Sequence, residues 1–286
     1  MIGLPADYYP IELAIELFSA DDLPRLIDLI DGKDVIFEKL AEVPGGLLSF
    51  RSEADLISVL ATLKAAFGDH LMAGYPSIAY RERITRAVEV KHAQQHPAGP
   101  AQPFTHIRMQ FHPLEPGSGF VFDSALPAGT VAADLLAGAE RGVALAKDHG
   151  LLAGYPVTDF RASLTGFDFG GAEPSPLALQ AAARGAFQQI KTAAHPRLTE
   201  PSVELTIRLN GEPVGAVRKA MAGRSETEIA DSDVPQTIAL RFHARLAHTF
   251  ALEAELARLV PGARVTSIRF AGMIDVPSAE HDADAG

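Results

Sequence analysis

Pro113-Leu-Glu-Pro-Gly-Ser-Gly-Phe120 and Leu151-Leu-Ala-Gly-Tyr-Pro-Val157 are the two phrases on which the reading of this chain depends. The first joins two stretches of strand character. Thr105–His112 puts Ile107, Met109 and Phe111 on one face, the two-residue period of a strand, and glycine then supplies turn geometry. Ser118 lies in Pro-Gly-Ser-Gly and lacks the strand-to-helix context of a nucleophile elbow, so it reads as a turn residue. Between the phrases, Pro127 begins a long helix with Val131, Leu135, Leu136, Val143 and Leu145 on its apolar side and Gly150 at its stop. Val157–Leu164 reads as a strand and Gly166–Pro174 as a Gly-rich loop. Ser175-Pro176 is an N-cap with Pro at the first helical position of an Ala-rich helix running to about His195. Upstream, Ile84–His92 alternates as a strand, and Ala93–Pro103, with three Pro, one Gly and three Gln, is a loop.

Two flanking blocks share another pattern. Ile11, Leu13, Ile15 and Leu17 share a strand face, and the segment from Asp21 to Ile30 is a helix with an acidic start. Val35–Leu40 and Leu47–Phe50 are strands about Pro44-Gly-Gly46, and Ser52 caps a helix over Glu53–Phe67 that stops at Gly68. A last strand near Ile78 completes a ferredoxin-like sandwich. Downstream the order repeats: strand Val203–Leu209, helix Glu212–Met221, strands Glu226–Ile229 and Thr237–Ala244, helix Phe250–Val260, strand Arg264–Phe270. The expected modules are 1–82, 83–198 and 199–276, with 277–286 an acidic, disordered tail.

The 286 residues suffice for two or three domains, and 47% are hydrophobic. The absence of Cys excludes disulfides, thiolate metal sites and Cys nucleophiles. The start, Met-Ile-Gly-Leu-Pro-Ala-Asp, lacks the basic and apolar regions of a signal peptide, and no apolar run approaches the roughly 18 residues of a membrane span. The expectation is a cytoplasmic protein with no membrane partner. Net charge is −11, which argues against DNA as a partner. The charge is uneven: residues 1–82 carry 14 acidic and 6 basic side chains, 83–198 carry 9 and 10, and 199–286 carry 13 and 9. The middle block alone does not repel phosphate overall.

In their order and spacing, several stretches resemble domains III, IV and V of elongation factor G, the GTPase of tRNA translocation. They are Ile11-Glu-Leu-Ala-Ile-Glu16, Pro76-Ser-Ile-Ala-Tyr-Arg-Glu82, Lys91-His92-Ala93 with Gln95, the two opening phrases, the Ala-rich helix at Leu177–Phe187, and Glu200-Pro201. The resemblance implies an α+β chain: a ferredoxin-like sandwich, a βαβ domain with a left-handed crossover, and a second ferredoxin-like sandwich. It also implies an RNA-facing tip in the middle block carrying Lys91, His92 and Gln95. The family's first tip loop reads Ser-Gly-Gly-Arg-Gly; here the stretch from His96 through Gly99 to Pro103 has no arginine. The family's second loop carries a tRNA-facing histidine; spacing places that position at Gly170, flanked by Asp168 and Glu173. Both loops are thus degenerate for gripping phosphate.

No phosphate loop exists: Asp31-Gly-Lys-Asp34 lacks the first glycine and the hydroxyl, and reads as a turn after a helix. His92, His96, His106 and His112 fall in one region, but His92 and His96 straddle a strand end and a loop, so neither a metal nor another cofactor is expected. Asp159, Asp168 and Glu173 define no paired-carboxylate site. The expectation is a non-catalytic elongation factor G-like protein, not an enzyme, that binds the ribosome or another translation component and lacks its own GTPase. The alternatives are an interaction adaptor that reuses the scaffold off the ribosome, a truncated translocase segment needing a separate GTPase, and an unrecognised enzyme.

Overall fold

A computed structural model of the chain describes residues 9–40, 43–95, 104–210, 214–234 and 237–277. Its contacts cluster into two units, one of residues 1–79 with 200–273 and the other of residues 80–199 with 274–286.

In the first unit the chain runs β1 (Ile11–Leu17), α1 (Leu23–Ile30), β2 (Val35–Lys39), β3 (Gly45–Phe50), α2 (Glu53–Phe67) and β4 (Leu71–Ala73), and its strands form an antiparallel sheet ordered β2-β3-β1-β4. β5 (Ser77–Ile78) also pairs with β1, so the expected last strand exists as two pieces interrupted at Gly74-Tyr-Pro76. Ile11, Leu13, Ile15 and Leu17 are all buried, with Leu26, Leu56 and Leu63, as the alternation requires. Ser52 caps α2 by accepting from the Asp55 N–H at 3.2 Å.

The second unit opens with β6 (Arg81–Arg83), β7 (Val88–Gln95), β8 (Phe104–Pro113) and β9 (Phe120–Ser124), followed by α3 (Ala133–Lys147), β10 (Val157–Thr158), β11 (Phe160–Asp168) and α4 (Pro176–Gln189). The main sheet is ordered β7-β8-β11-β9, and β9 and β11 run parallel with α3 in their connection. The helix expected from Pro127 begins instead at Ala133: Pro127–Thr130 is a turn, closed by the Thr130 N–H and hydroxyl on the Pro127 carbonyl at 3.1 and 2.6 Å. α3 and α4 meet over Gly138 and Gly142, where a Cβ would stand 2.4 Å from the Pro176 carbonyl oxygen and 2.2 Å from that of Gln180. Phe111, Phe160 and Phe187 fill the core between sheet and helices.

Returning to the first unit, β12 (Arg197–Asn210), α5 (Val214–Met221), β13 (Ser225–Val234), β14 (Thr237–Arg245), α6 (Leu252–Leu259) and β15 (Arg264–Asp275) complete the chain. β14 lies between β13 and β12, and β15 pairs with β12, which repeats the topology of the first 79 residues. β12 and β13 are longer than the periodicity indicates. Of the acidic tail, residues 278–286 lie outside the described residues.

The opening phrases owe their composition to two anchors within the second unit. Glu82 is fully buried, and its carboxylate accepts N–H bonds from Leu151, Leu152, Ala153, Gly154 and Tyr155 at 2.6, 2.8, 2.7, 3.0 and 3.2 Å. Gly150 enters this cradle at φ +70, where a Cβ would meet a Glu82 oxygen at 2.6 Å. The second anchor is Asp159, left-handed at φ 57, which splits the expected Val157–Leu164 strand into β10 and β11. Its carboxylate accepts the Gly119 N–H at 2.9 Å and its carbonyl accepts the Leu114 N–H at 2.8 Å, pinning both ends of the Pro113–Phe120 turn.

Glu82→Gln is expected to destabilise this unit by about 3–5 kcal/mol, since an amide presents one acceptor and two donors to five donors. Urea unfolding of the variant against the parent measures this.

Arg83 holds Asp275 through two bonds of 2.7 and 2.8 Å, with Arg197 at 3.9 Å. The Arg83 hydrogen bonds keep the Asp275 carboxyl below its ordinary range against the opposing effect of burial. A depressed folded value means stability present above the unfolded value and lost as pH falls through the folded one. Asp275→Asn should therefore cost about 1 kcal/mol at pH 7, discounted for partial exposure, and the gap to the parent should close as pH drops below about 4. Thermal melts from pH 7 to pH 3 test it.

Candidate functional site

The candidate site is one end of the β7-β8-β11-β9 sheet and the face turned away from α3 and α4. Alternation assigns the side chains. Along β7, Val88, Val90 and His92 point to the helices, while Glu89, Lys91, Ala93 and Gln95 are exposed on the other face. Along β8, Thr105, Ile107, Met109 and Phe111 are buried, while Phe104, His106, Arg108 and His112 are exposed. Register brings Lys91, Arg108 and Gly166 into one row across three strands, and Ala93, His106 and Asp168 into the next. A cleft of about 250 Å³ runs over these rows.

The tip residues expected from the sequence separate here. Lys91 and Gln95 stand exposed on the open face. His92 lies beneath α4: in the Nε2–H tautomer it accepts from the Gln189 amide at 2.9 Å and donates to Gln94 Oε1 at 3.2 Å. Its ring occupies the space over Gly185, where a Cβ would meet Nε2 at 2.3 Å. His92 thus packs helix against sheet. His106 and His112 face the other way from it, and among the described residues no three His, Asp or Glu side chains gather to hold a metal. His96 and Gly99 lie outside the described residues.

At the second loop Gly170 has φ +60, and a Cβ there would sit 3.2 Å from the Phe104 carbonyl oxygen. Asp168 accepts the Gly170 N–H at 2.9 Å and so closes its own loop. The backbone favours glycine at this position.

Periodicity implies the residues of the open face without singling them out. Once Ile107, Met109 and Phe111 are assigned inward, Phe104, His106 and Arg108 must point outward. Arg108 has a further feature that strand period does not show. Its guanidinium lies flat across Gly166, where a Cβ would be 2.8 Å from its nitrogens. Asp31–Asp34 form a turn after α1, as the sequence indicates. Asp34 is bonded by the Tyr9 hydroxyl at 2.5 Å and paired with Arg51 at 3.0 Å, and the Tyr9 bond is the chief cause holding its carboxyl below the ordinary range. A larger cavity of about 490 Å³ in the first unit runs by the start of α2, where Ser52 and Asp55 are spent on the helix cap.

The second unit is a βαβ layer whose crossover phrase cradles a buried glutamate, and the chain carries two ferredoxin-like sheets besides. Residues 76–195 match the family model for elongation factor G, domain IV. Elongation factor G of Hyphomonas neptunium is 36% identical over 202 residues, 69% of this chain and 29% of that relative. That of Orientia tsutsugamushi is 30% identical over 241 residues, 81% of this chain and 33% of the relative. A solved protein from Thermus thermophilus shares the fold with a TM-score of 0.75 at 21% identity, covering 99% of this chain and 43% of that one. On these findings the chain is a relative of elongation factor G, similar to the C-terminal half of that factor. It spans about a third of the length of the curated relatives it matches, and the matches include no GTPase domain. No helix among the described residues is long and apolar enough to cross a membrane.

Gly170→His is expected to cost about 1–2 kcal/mol through its left-handed backbone and close carbonyl contact. Gly171→Ser, at φ +83 with nothing near its Cβ, should show the backbone cost alone. Comparing melting temperatures of the two separates these effects.

Proposed function

We propose that this chain is a non-catalytic elongation factor G-like protein that binds the ribosome or another translation component, with any GTPase supplied by a separate protein. The observation that carries this reading is the match of residues 76–195 to elongation factor G domain IV, with the Glu82 cradle fully formed. This sequence contains no G-x-x-x-x-G-K-S/T phosphate loop. Under this reading the protein works in the cytoplasm in three modules, near 1–82, 83–198 and 199–276. Lys91 and Gln95 are the tip residues placed to meet RNA, and His92 positions α4 behind them.

A specific observation favours the adaptor as a second reading. The described end of the sheet offers Asp168 and Gly170 where phosphate contact would call for cations, and the family loop arginine is missing from the sequence.

Sedimentation of tagged protein with ribosomes over 50–300 mM salt distinguishes the two. Ribosome binding is expected at low salt and should fall steeply as salt rises. Failure to sediment at 50 mM salt would reject the ribosome and leave the adaptor.

A further inference from the structure

The β2-β3-β1-β4 sheet of the first unit buries one face beneath α1 and α2 and turns the other to solvent. Strand register sets what that solvent face carries. Ile36 and Glu12 lie in one row, Glu38 in the next, and Glu16 and Met72 in a third, with Phe18 beyond it on β1's continuation. Ile36, Met72 and Phe18 are 47, 58 and 63% exposed. Apolar residues exposed singly are ordinary. The solvent face of an antiparallel sheet, however, normally alternates to polar side chains, and a group of large apolar ones on it marks a contact surface.

The charge among them has one sign. Glu12, Glu16 and Glu38 stand between the apolar groups, and none makes an ion pair among the described residues. The basic groups at the ends of the face are engaged. Arg51 is held by Asp34 and the Tyr9 hydroxyl, and the His70 ring lies edge-on to Phe18 at 5.8 Å. Residues 1–82 as a whole carry 14 acidic and 6 basic side chains. An occupant must therefore be both apolar and cationic, which excludes nucleic acid and anionic lipid.

Dimensions narrow the choice further. A seven-residue β1 and a four-strand width give a face of roughly 24 by 14 Å. One helix, about 10 Å across, covers that width, and about 15 residues cover its length. Two copies stacked face to face would bury only about 700 Å², below the roughly 1,200 Å² of a specific dimer, and would set three carboxylates against three.

We propose that the solvent face of the first sheet docks an amphipathic, Lys/Arg-rich helix of a protein partner. The helix lays its apolar stripe on Ile36, Met72 and Phe18, and its cations meet Glu12, Glu16 and Glu38. Helices then cover both faces of the sheet, a stable layer arrangement. The inference stands apart from ribosome binding.

The probe is a fluorescein-labelled 18-residue Leu/Lys peptide with leucines at helical spacing, and the control is a scrambled peptide of the same composition. Anisotropy with the full chain at 100 mM salt is expected to saturate for the patterned peptide and not for the scrambled one. Met72→Asp and Ile36→Asp add negative charge but remove apolar contact, and each should weaken binding about tenfold. Glu16→Lys should weaken it about as much. Glu140→Lys, the same charge change on the exposed side of α3, should leave it within about twofold. Bound peptide should also slow peroxide oxidation of Met72 and leave that of Met273 unchanged. All these substitutions are at exposed positions, melting curves confirm folding, and Ile36→Asp carries the apolar arm if Met72→Asp fails to fold. No saturable binding, equal binding of the scrambled peptide, indifference to both Asp variants, or an equal effect of Glu140→Lys would each overturn the proposal. A dimer of the free chain in sedimentation equilibrium that Met72→Asp dissolves would overturn it in favour of a second copy. Sedimentation with ribosomes reports on the ribosome reading alone, and neither result there changes these outcomes.

Discussion

A carboxylate with no access to water is the constraint on which the middle of this molecule depends. Burying a charge is costly unless every lone pair finds a donor. Glu82 meets that condition with five consecutive backbone N–H groups. Five amides can converge on one carboxylate only if the chain curls, and the curl uses left-handed Gly150 and Gly154. The phrase Leu151–Val157 is therefore a receptor for a side chain of the same molecule. Its end delivers Val157 to pair with Glu82 and Thr158 with Arg83. Asp159 then kinks the backbone and clasps the Pro113–Phe120 turn. Through that clasp the buried charge governs where β8, β9 and β11 lie, and hence which residues reach the open face.

The net charge of −11 does not forbid an anionic partner at that face. At about 0.1 M salt the Debye length is near 10 Å, so charges beyond that distance contribute little to a contact. What a phosphate meets is the local set: Lys91 and Arg108, without an ion pair among the described residues, against Glu89 on the same face of β7 and Asp168 at the loop. Local pairing outweighs the global sum in deciding contact, while the global sum lowers the rate of encounter.

Strand periods in the sequence locate the elements of both ferredoxin-like sheets because their inward faces are uninterrupted: Ile11 to Leu17, and Val203 to Leu209, are buried at every second residue. The repeated sheet order follows from the repeated order of elements. Three features are not legible. Pro127 fits a helical first turn, yet Thr130 bonds it into a separate turn, and α3 starts later. The break at Asp159 is invisible because nothing in Val-Thr-Asp-Phe signals a left-handed aspartate, and the clasp that stabilises it comes from a distant glycine. His92 follows Lys91 in sequence and suggests one patch, but adjacent strand residues point to opposite faces. Strand period is enough to make that separation; only the packing over Gly185 shows what the histidine does.

The anchors and the contact surface occupy different parts of one framework, and this lets them vary independently. Val88, Val90, Ile107, Met109 and Phe111 are directed to the helices, and Glu82 lies outside the main sheet altogether. Gly170 illustrates the limit of that freedom. Its left-handed backbone beside the Phe104 carbonyl has become part of how the loop closes, with Asp168 holding the next amide but one. The stretch Gly166–Pro174 carries Asp168 and Glu173 and no basic residue. The recognition chemistry that remains is on the strands, where Lys91 and Arg108 are held by the pleat of the sheet and Phe104 by its place beside the closed loop. The fold therefore carries the likeness to elongation factor G, and the side chains facing away from its core decide what this chain can hold.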